Sequence, residues 1–205
     1  MVTGLVARGR RVLAQAAFRH RGYIPIPFLG IAIFFAHPTI LSLTVGFSMV
    51  LFGEFIRLWA VSAIGYESRS TRAPGGSRLV TCGPFAYVRN PLYLGNIFVY
   101  VGIGVMSMAF FPWLLLAAMG WFSFQYFLIV TEEEKYLFSR FGMEYGIYCA
   151  RVPRFIPRLR AQRTLERAPG LSARAVLASE RRTLQAELLV TFVFVAIYVA
   201  QDFRG

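Results

Sequence analysis

The stretch NPLYLGNIFVYVGIGVMSMAFFPWLLLAAMGWFSFQYFLIVTEEE, residues 90–134, carries no charged side chain between Pro91 and Glu132. At ~1.5 Å of rise per residue, that uncharged run of about 40 residues is enough for two helices of ~30 Å each, one out and one back across a hydrocarbon core of similar thickness. FFP at 110–112 is expected at the tip of the hairpin. Pro91 suits a first helical turn, where its missing N–H costs nothing. A hairpin of this kind returns Glu132, Glu133 and Glu134 to the same side as Arg89, Asn90 and Pro91.

The rest of the chain agrees with bilayer as solvent. Of 205 residues, 57% are apolar and 16% charged, more apolar sequence than a soluble domain of this size needs for its core. Further apolar runs cover residues 22–36, 39–53 and 188–200, the second continuing through Glu54 and Arg57 to Ile64. The expectation is an all-α polytopic helical membrane protein of about five transmembrane helices. Residues 188–200 are too few to span alone, and the last crossing requires 184–187 to lie within the membrane as well. Residues 1–21 form a cytoplasmic or interfacial segment, 22–157 a transmembrane core, and 158–205 an arginine-rich linker with a carboxyl-terminal helix from about residue 172 to 200.

Charge orients the crossings. Five of the 22 basic residues lie in 1–21, five in 57–89 and eleven in 135–182, whereas the connections AHPT and AFFPW have none. By the positive-inside rule the amino terminus and the face bearing Arg89 and the glutamate run are cytoplasmic. Twenty-one arginines against one lysine, with no eukaryotic address signal, point to a bacterial inner membrane. The formal charge of +12 reflects arginines flanking membrane segments, facing membrane lipid, so nucleic acid is not an expected partner.

Several chemistries are excluded by the residues present. His20, His37, Cys82 and Cys149 have no metal-ligand spacing, so no metal is expected. The cysteines, on the reducing side, read as small packing residues. GIG at 102–104 follows no strand and lacks a third glycine; it reads as small residues that let helices approach closely. Glu54 and Arg57 are one helical turn apart within apolar sequence, where ionisable groups are costly and usually functional. They are the candidate catalytic pair, with a self-satisfied ion pair as the plain alternative. Three adjacent carboxylates at the end of the fourth crossing would oppose the helix dipole, which marks that end as a site for a polar, partly cationic ligand.

LVTCGPFAYVRNPLYLG at 79–95 and EEEKYLFSRFGMEYGIYCARVPRFIP at 132–157 resemble the two signature segments of the isoprenylcysteine carboxyl methyltransferase and phospholipid methyltransferase superfamily. The resemblance covers about half the chain. It implies a membrane enzyme that uses S-adenosylmethionine at a cytoplasm-facing site and modifies a lipophilic, prenyl or acyl lipid-like acceptor. It carries the cofactor-binding role onto Arg89, Asn90, Pro91, Tyr93, Gly95, Glu133, Glu134, Tyr145 and Tyr148. Glu133 or Glu134 would accept the ribose hydroxyls, Arg89 or Arg57 would pair with the cofactor carboxylate, and Tyr145, Tyr148 and RVPRFIP at 151–157 would form a lid. Many members have histidine where this chain has Asn90, which cannot titrate and so cannot act as a general base. An NADPH-dependent membrane reductase on a similar scaffold and a non-catalytic lipid-binding or assembly protein are the alternatives.

Overall fold

The structure, a computed structural model, describes residues 22–65, 78–162 and 170–203. The amino-terminal segment 1–21 therefore lies outside the described residues. Among the described residues six α-helices follow one another: α1 (Pro25–Phe34), α2 (Ile40–Ile64), α3 (Pro91–Ser107), α4 (Trp113–Phe141), α5 (Met143–Arg151) and α6 (Ala173–Asp202). A short 3-10 helix, Gly83–Ala86, precedes α3, and no strand occurs among the described residues.

Three of these helices, α2, α4 and α6, are long and apolar enough to cross a membrane. Their 25, 29 and 30 residues correspond to ~38, ~44 and ~45 Å, beyond the ~30 Å hydrocarbon core. α3 has 17 residues, ~26 Å, at the lower bound for spanning. α1, with 10 residues, reaches only ~15 Å. The expected carboxyl-terminal helix is one unbroken rod. It opens at Ser172, whose Oγ accepts the Ala175 N–H at 3.3 Å and so caps its first turn. In its most apolar window only 11% of residues are buried. Leu188, Leu189 and Phe192 point outward, as they should where the surroundings are hydrocarbon. This is a polytopic helical membrane protein.

The chain forms two compact units. Unit 1 comprises residues 1–52, 97–129 and 182–205, and unit 2 residues 53–96 and 130–181. Unit 1 is held by apolar packing. Ala32, Ala36, Val50, Met106 and Phe194 form its core. α2 and α3 touch through glycine: a Cβ on Gly46 would lie 2.5 Å from the Gly102 carbonyl oxygen, and one on Gly102 would meet the Gly46 oxygen at the same distance. The small-residue reading of Gly102 is thus borne out. Backbone groups at the helix ends find partners, His37 N–H donating to the Ser107 carbonyl at 2.8 Å and Gln201 Nε2 to that of Ala36 at 3.0 Å. FFP turns the chain between α3 and α4, with Phe110 in the left-handed region.

Unit 2 contains a smaller apolar cluster of Leu79, Tyr145, Tyr148 and Val152. Its loops are tied together by backbone bonds from Arg89 N–H to the Pro153 carbonyl at 2.9 Å, from Arg158 to Tyr87 at 3.0 Å and from Gln162 to Ala86 at 2.9 Å. The segments 78–90 and 152–162, neither of them mostly helical, satisfy each other's polar backbone in this way.

Candidate functional site

Every residue singled out from the sequence as catalytic or cofactor-binding falls in unit 2. The segment before α3 is fixed from several directions. Tyr148 donates its hydroxyl to the Phe85 carbonyl at 2.8 Å, and Asn90 Nδ2 donates to the Arg154 carbonyl at 3.0 Å. Asn90 accepts the Leu94 N–H at 3.1 Å, opening α3 with Pro91 as its first residue. Pro91 is fully buried, which anchors that helix start.

The glutamate run differs from the expectation. It does not end the fourth long helix: α4 continues two further turns to Phe141 and stops at Gly142, a glycine at φ +53°. Opposition to the helix terminus is therefore not what makes these carboxylates unusual. Successive residues rotate by ~100° around a helix, so the three glutamates meet three different surroundings. Glu132 pairs with Lys135 on the exposed side. Glu133 accepts the Tyr93 hydroxyl at 2.8 Å. Glu134 lies between two guanidinium groups, Arg89 Nη1 at 3.0 Å and Arg154, which contacts both of its carboxylate oxygens.

Arg89 carries the most constrained charge of this cluster. Its side chain is only 14% exposed, its Nη1 also meets Cys149 Sγ at 2.7 Å, and its Nε is buried without a hydrogen-bond partner. Burial opposes the charge on Arg89, while Glu134, Cys149 and Tyr145 together outweigh it and raise the pKa further. Tyr145 and Tyr148 are both raised above the ordinary phenol range, by burial first; Glu134 adds to the shift at Tyr145. They stay protonated at neutral pH, and Tyr148 donates its hydroxyl to the Phe85 carbonyl. Both are buried, whereas Glu144 beside them is exposed.

A second charged cluster gathers around Arg57. Its Nε lies 2.6 Å from Glu54 Oε1, a charge contact and not an aligned hydrogen bond; its Nη2 lies 2.6 Å from Glu180 Oε2, and its Nη1 donates to Asn96 Oδ1. Gly95 explains how Arg57 fits. A Cβ there would lie 2.6 Å from Arg57 Cγ and 2.7 Å from the Gly53 carbonyl oxygen, so the absent side chain makes room for the arginine stem and for α2. Arg57 thus has three protein partners, while its Nε, like that of Arg89, is buried without a hydrogen bond.

Asn96, Cys149, Arg154 and Glu180 had no role as charge partners in the sequence reading. Cys149 had been read as packing, yet it faces Arg89. Arg154 belonged to the supposed lid but specifically grips Glu134. Glu180 lies 123 positions from its partner Arg57, and no local pattern signals the pairing.

The phospholipid methyltransferase family profile matches residues 41–144, which take in both candidate clusters apart from Cys149, Arg154, Glu180 and the two buried tyrosines. The chain belongs to that family. It is 33% identical over 119 residues to the cobalt-zinc-cadmium resistance protein CzcN of Cupriavidus metallidurans, covering 58% of this chain and 50% of that protein. It is 34% identical over 117 residues to the nickel-cobalt-cadmium resistance protein NccN of Alcaligenes xylosoxydans xylosoxydans, with 57% and 50% covered. Over 108 residues it is 33% identical to the protein-S-isoprenylcysteine O-methyltransferase of Schizosaccharomyces pombe, with 51% and 45% covered. The chain thus spans about half the length of the curated relatives it matches. No solved structure matches.

Proposed function

We propose that this family member transfers a methyl group from S-adenosylmethionine to a lipophilic acceptor at the cytoplasmic face of a bacterial inner membrane. The observation that carries the reading is the meeting of Arg89, Glu134 and Arg154, drawn from both motif segments, in a largely buried cluster. Such a cofactor presents a carboxylate, an ammonium and ribose hydroxyls, and the donor set matches it in kind. Arg89 has an unpartnered buried Nε and Arg154 is nearby for the carboxylate, while Glu133 and Glu134 are acceptors for hydroxyls or ammonium. The bound cofactor would supply an electrophilic methyl group.

The chain's own residues have three tasks in this reading. Tyr93, held by Glu133, and Asn90, held by the Arg154 carbonyl, fix the start of α3 so that Arg89 is presented in one orientation. Buried Tyr145 and Tyr148 keep water from the same place, which matters because alignment and exclusion of water dominate a displacement that needs little acid-base help. Glu134, whose single charge is shared by two arginines, sets how strongly either can reach a ligand. The arginine-rich segments support a cytoplasmic amino terminus and a cytoplasmic site. Calorimetric titration of detergent-solubilised protein tests the reading: S-adenosylhomocysteine should bind and NADPH should not, and the reverse would turn it into the reductase.

A further inference from the structure

The charges around Arg57 do not balance. Glu54 and Glu180 both take Arg57 as their cationic partner, and among the described residues neither has another. Two carboxylates thus share one guanidinium, with side-chain exposures of 6% for Glu54 and 14% for the other two. An uncompensated charge that far from water is strongly unfavourable unless something supplies the missing counter-charge. The geometry shows where: Glu54 Oε2 is buried and accepts no hydrogen bond. Asn96 does not help, because its carbonyl oxygen is turned to Arg57 and adds a further acceptor to the cluster.

What is missing is therefore a cation with hydrogen-bond donors. A hard divalent ion wants six or more oxygen ligands, and no group of three or more metal-ligating side chains exists among the described residues. An ammonium carries one charge and up to three N–H donors, which answers both deficits at the scale of one unpaired carboxylate oxygen. We propose that the Glu54, Arg57 and Glu180 cluster is a binding site for the ammonium group of an organic ligand. Arg57 holds the two carboxylates in place, and Glu54 Oε2 is the principal acceptor. Where the methyl-transfer reading holds, on which the naming of sources rests, that ammonium belongs either to the amino-acid end of the methyl donor or to an amine head group on the acceptor.

Titrations of the full-length detergent-solubilised chain separate these sources. The ligands are S-adenosylhomocysteine, 5′-methylthioadenosine, which lacks the amino-acid end, and decylamine against decanol. Glu54→Gln keeps the shape and removes the charge. If the donor supplies the ammonium, this variant should bind S-adenosylhomocysteine at least tenfold more weakly and 5′-methylthioadenosine unchanged. If the acceptor supplies it, S-adenosylhomocysteine binding is kept and the preference of wild type for decylamine over decanol disappears. Wild-type affinities throughout, in a variant that melts cooperatively, would overturn the proposal. Should Glu54→Gln not fold, Glu180→Gln removes the excess charge from the more exposed end and is read in the same way. Failure of wild type to bind S-adenosylhomocysteine would defeat the methyl-transfer reading alone, since a decylamine preference abolished by Glu54→Gln would still support the ammonium site.

Discussion

Units 1 and 2 draw on the same four long helices, yet their interiors follow opposite rules. In unit 1 the helices meet through glycine backbone and apolar side chains, as at Gly46 and Gly102. In unit 2 the interior contains Arg57, Arg89, Glu54 and Glu134, each of which costs free energy to bury and keeps its place only through specific partners. Tight packing accounts for the α2–α3 contact of unit 1, which also holds an apolar cavity of about 390 Å³ bordered by Phe28, Tyr100, Phe122 and Glu187. It does not account for unit 2, where Arg89 and Glu134 come from the two motif segments and Glu54 and Arg57 lie outside them.

The largest expected effect breaks the scaffold side of the comparison. Gly46→Ala puts a methyl group 2.5 Å from the Gly102 carbonyl and 2.8 Å from the Met106 nitrogen, backbone atoms that cannot swing aside. It should cost ~2 to 3 kcal/mol, the upper part of the overpacking range, seen as a lowered melting temperature. Ligand affinity of the folded fraction should stay at the wild-type value. Glu134→Gln works on the other side: it leaves two arginines without their shared carboxylate, so both stability and S-adenosylhomocysteine affinity should fall. Loss of hydrogen bonds to a charged group is worth ~1.5 to 3 kcal/mol, roughly 10- to 150-fold in binding measured by calorimetry. Unchanged affinity with lowered stability would make Glu134 a brace like the glycines of unit 1.

Smaller effects sharpen the boundary. Tyr93→Phe removes one hydroxyl bond to Glu133 and should cost ~1 kcal/mol, with a melting curve as the readout. Glu132→Gln, whose partner Lys135 is 65% exposed, should change stability by less than ~0.5 kcal/mol. A larger loss there would mean that the solvent-facing side of α4 belongs to the site as well.

The hairpin was legible because absence of charge and a proline-containing turn are one-dimensional signals. Position 91 as a helix start and 110–112 as the turn both follow from them. The extent of α6 was legible too: a helix from about residue 172 to 200 was expected, and Ala173–Asp202 is one helix. The end of α4 was misread because leaving the bilayer is no reason for a helix to stop. Its glutamates have separate partners, and a glycine with positive φ sets the boundary instead. Of the candidate site, the motif residues could be named in advance, but their pairings could not. Glu180 with Arg57 and Arg154 with Glu134 are contacts of tertiary structure, between residue types abundant elsewhere in the chain. Gly95 was expected to bind cofactor, and the structure gives it a packing role beside Arg57.

The central claim is that the buried charge of unit 2 exists to hold a ligand. Calorimetric titration of S-adenosylhomocysteine into wild type and Arg89→Ala, run beside a melting curve for each, tests it most directly. The account predicts binding to wild type and a loss of roughly 10- to 150-fold in the variant, the range set by charged hydrogen bonds. Absence of binding to the wild-type protein, or equal affinity in the two, would contradict it.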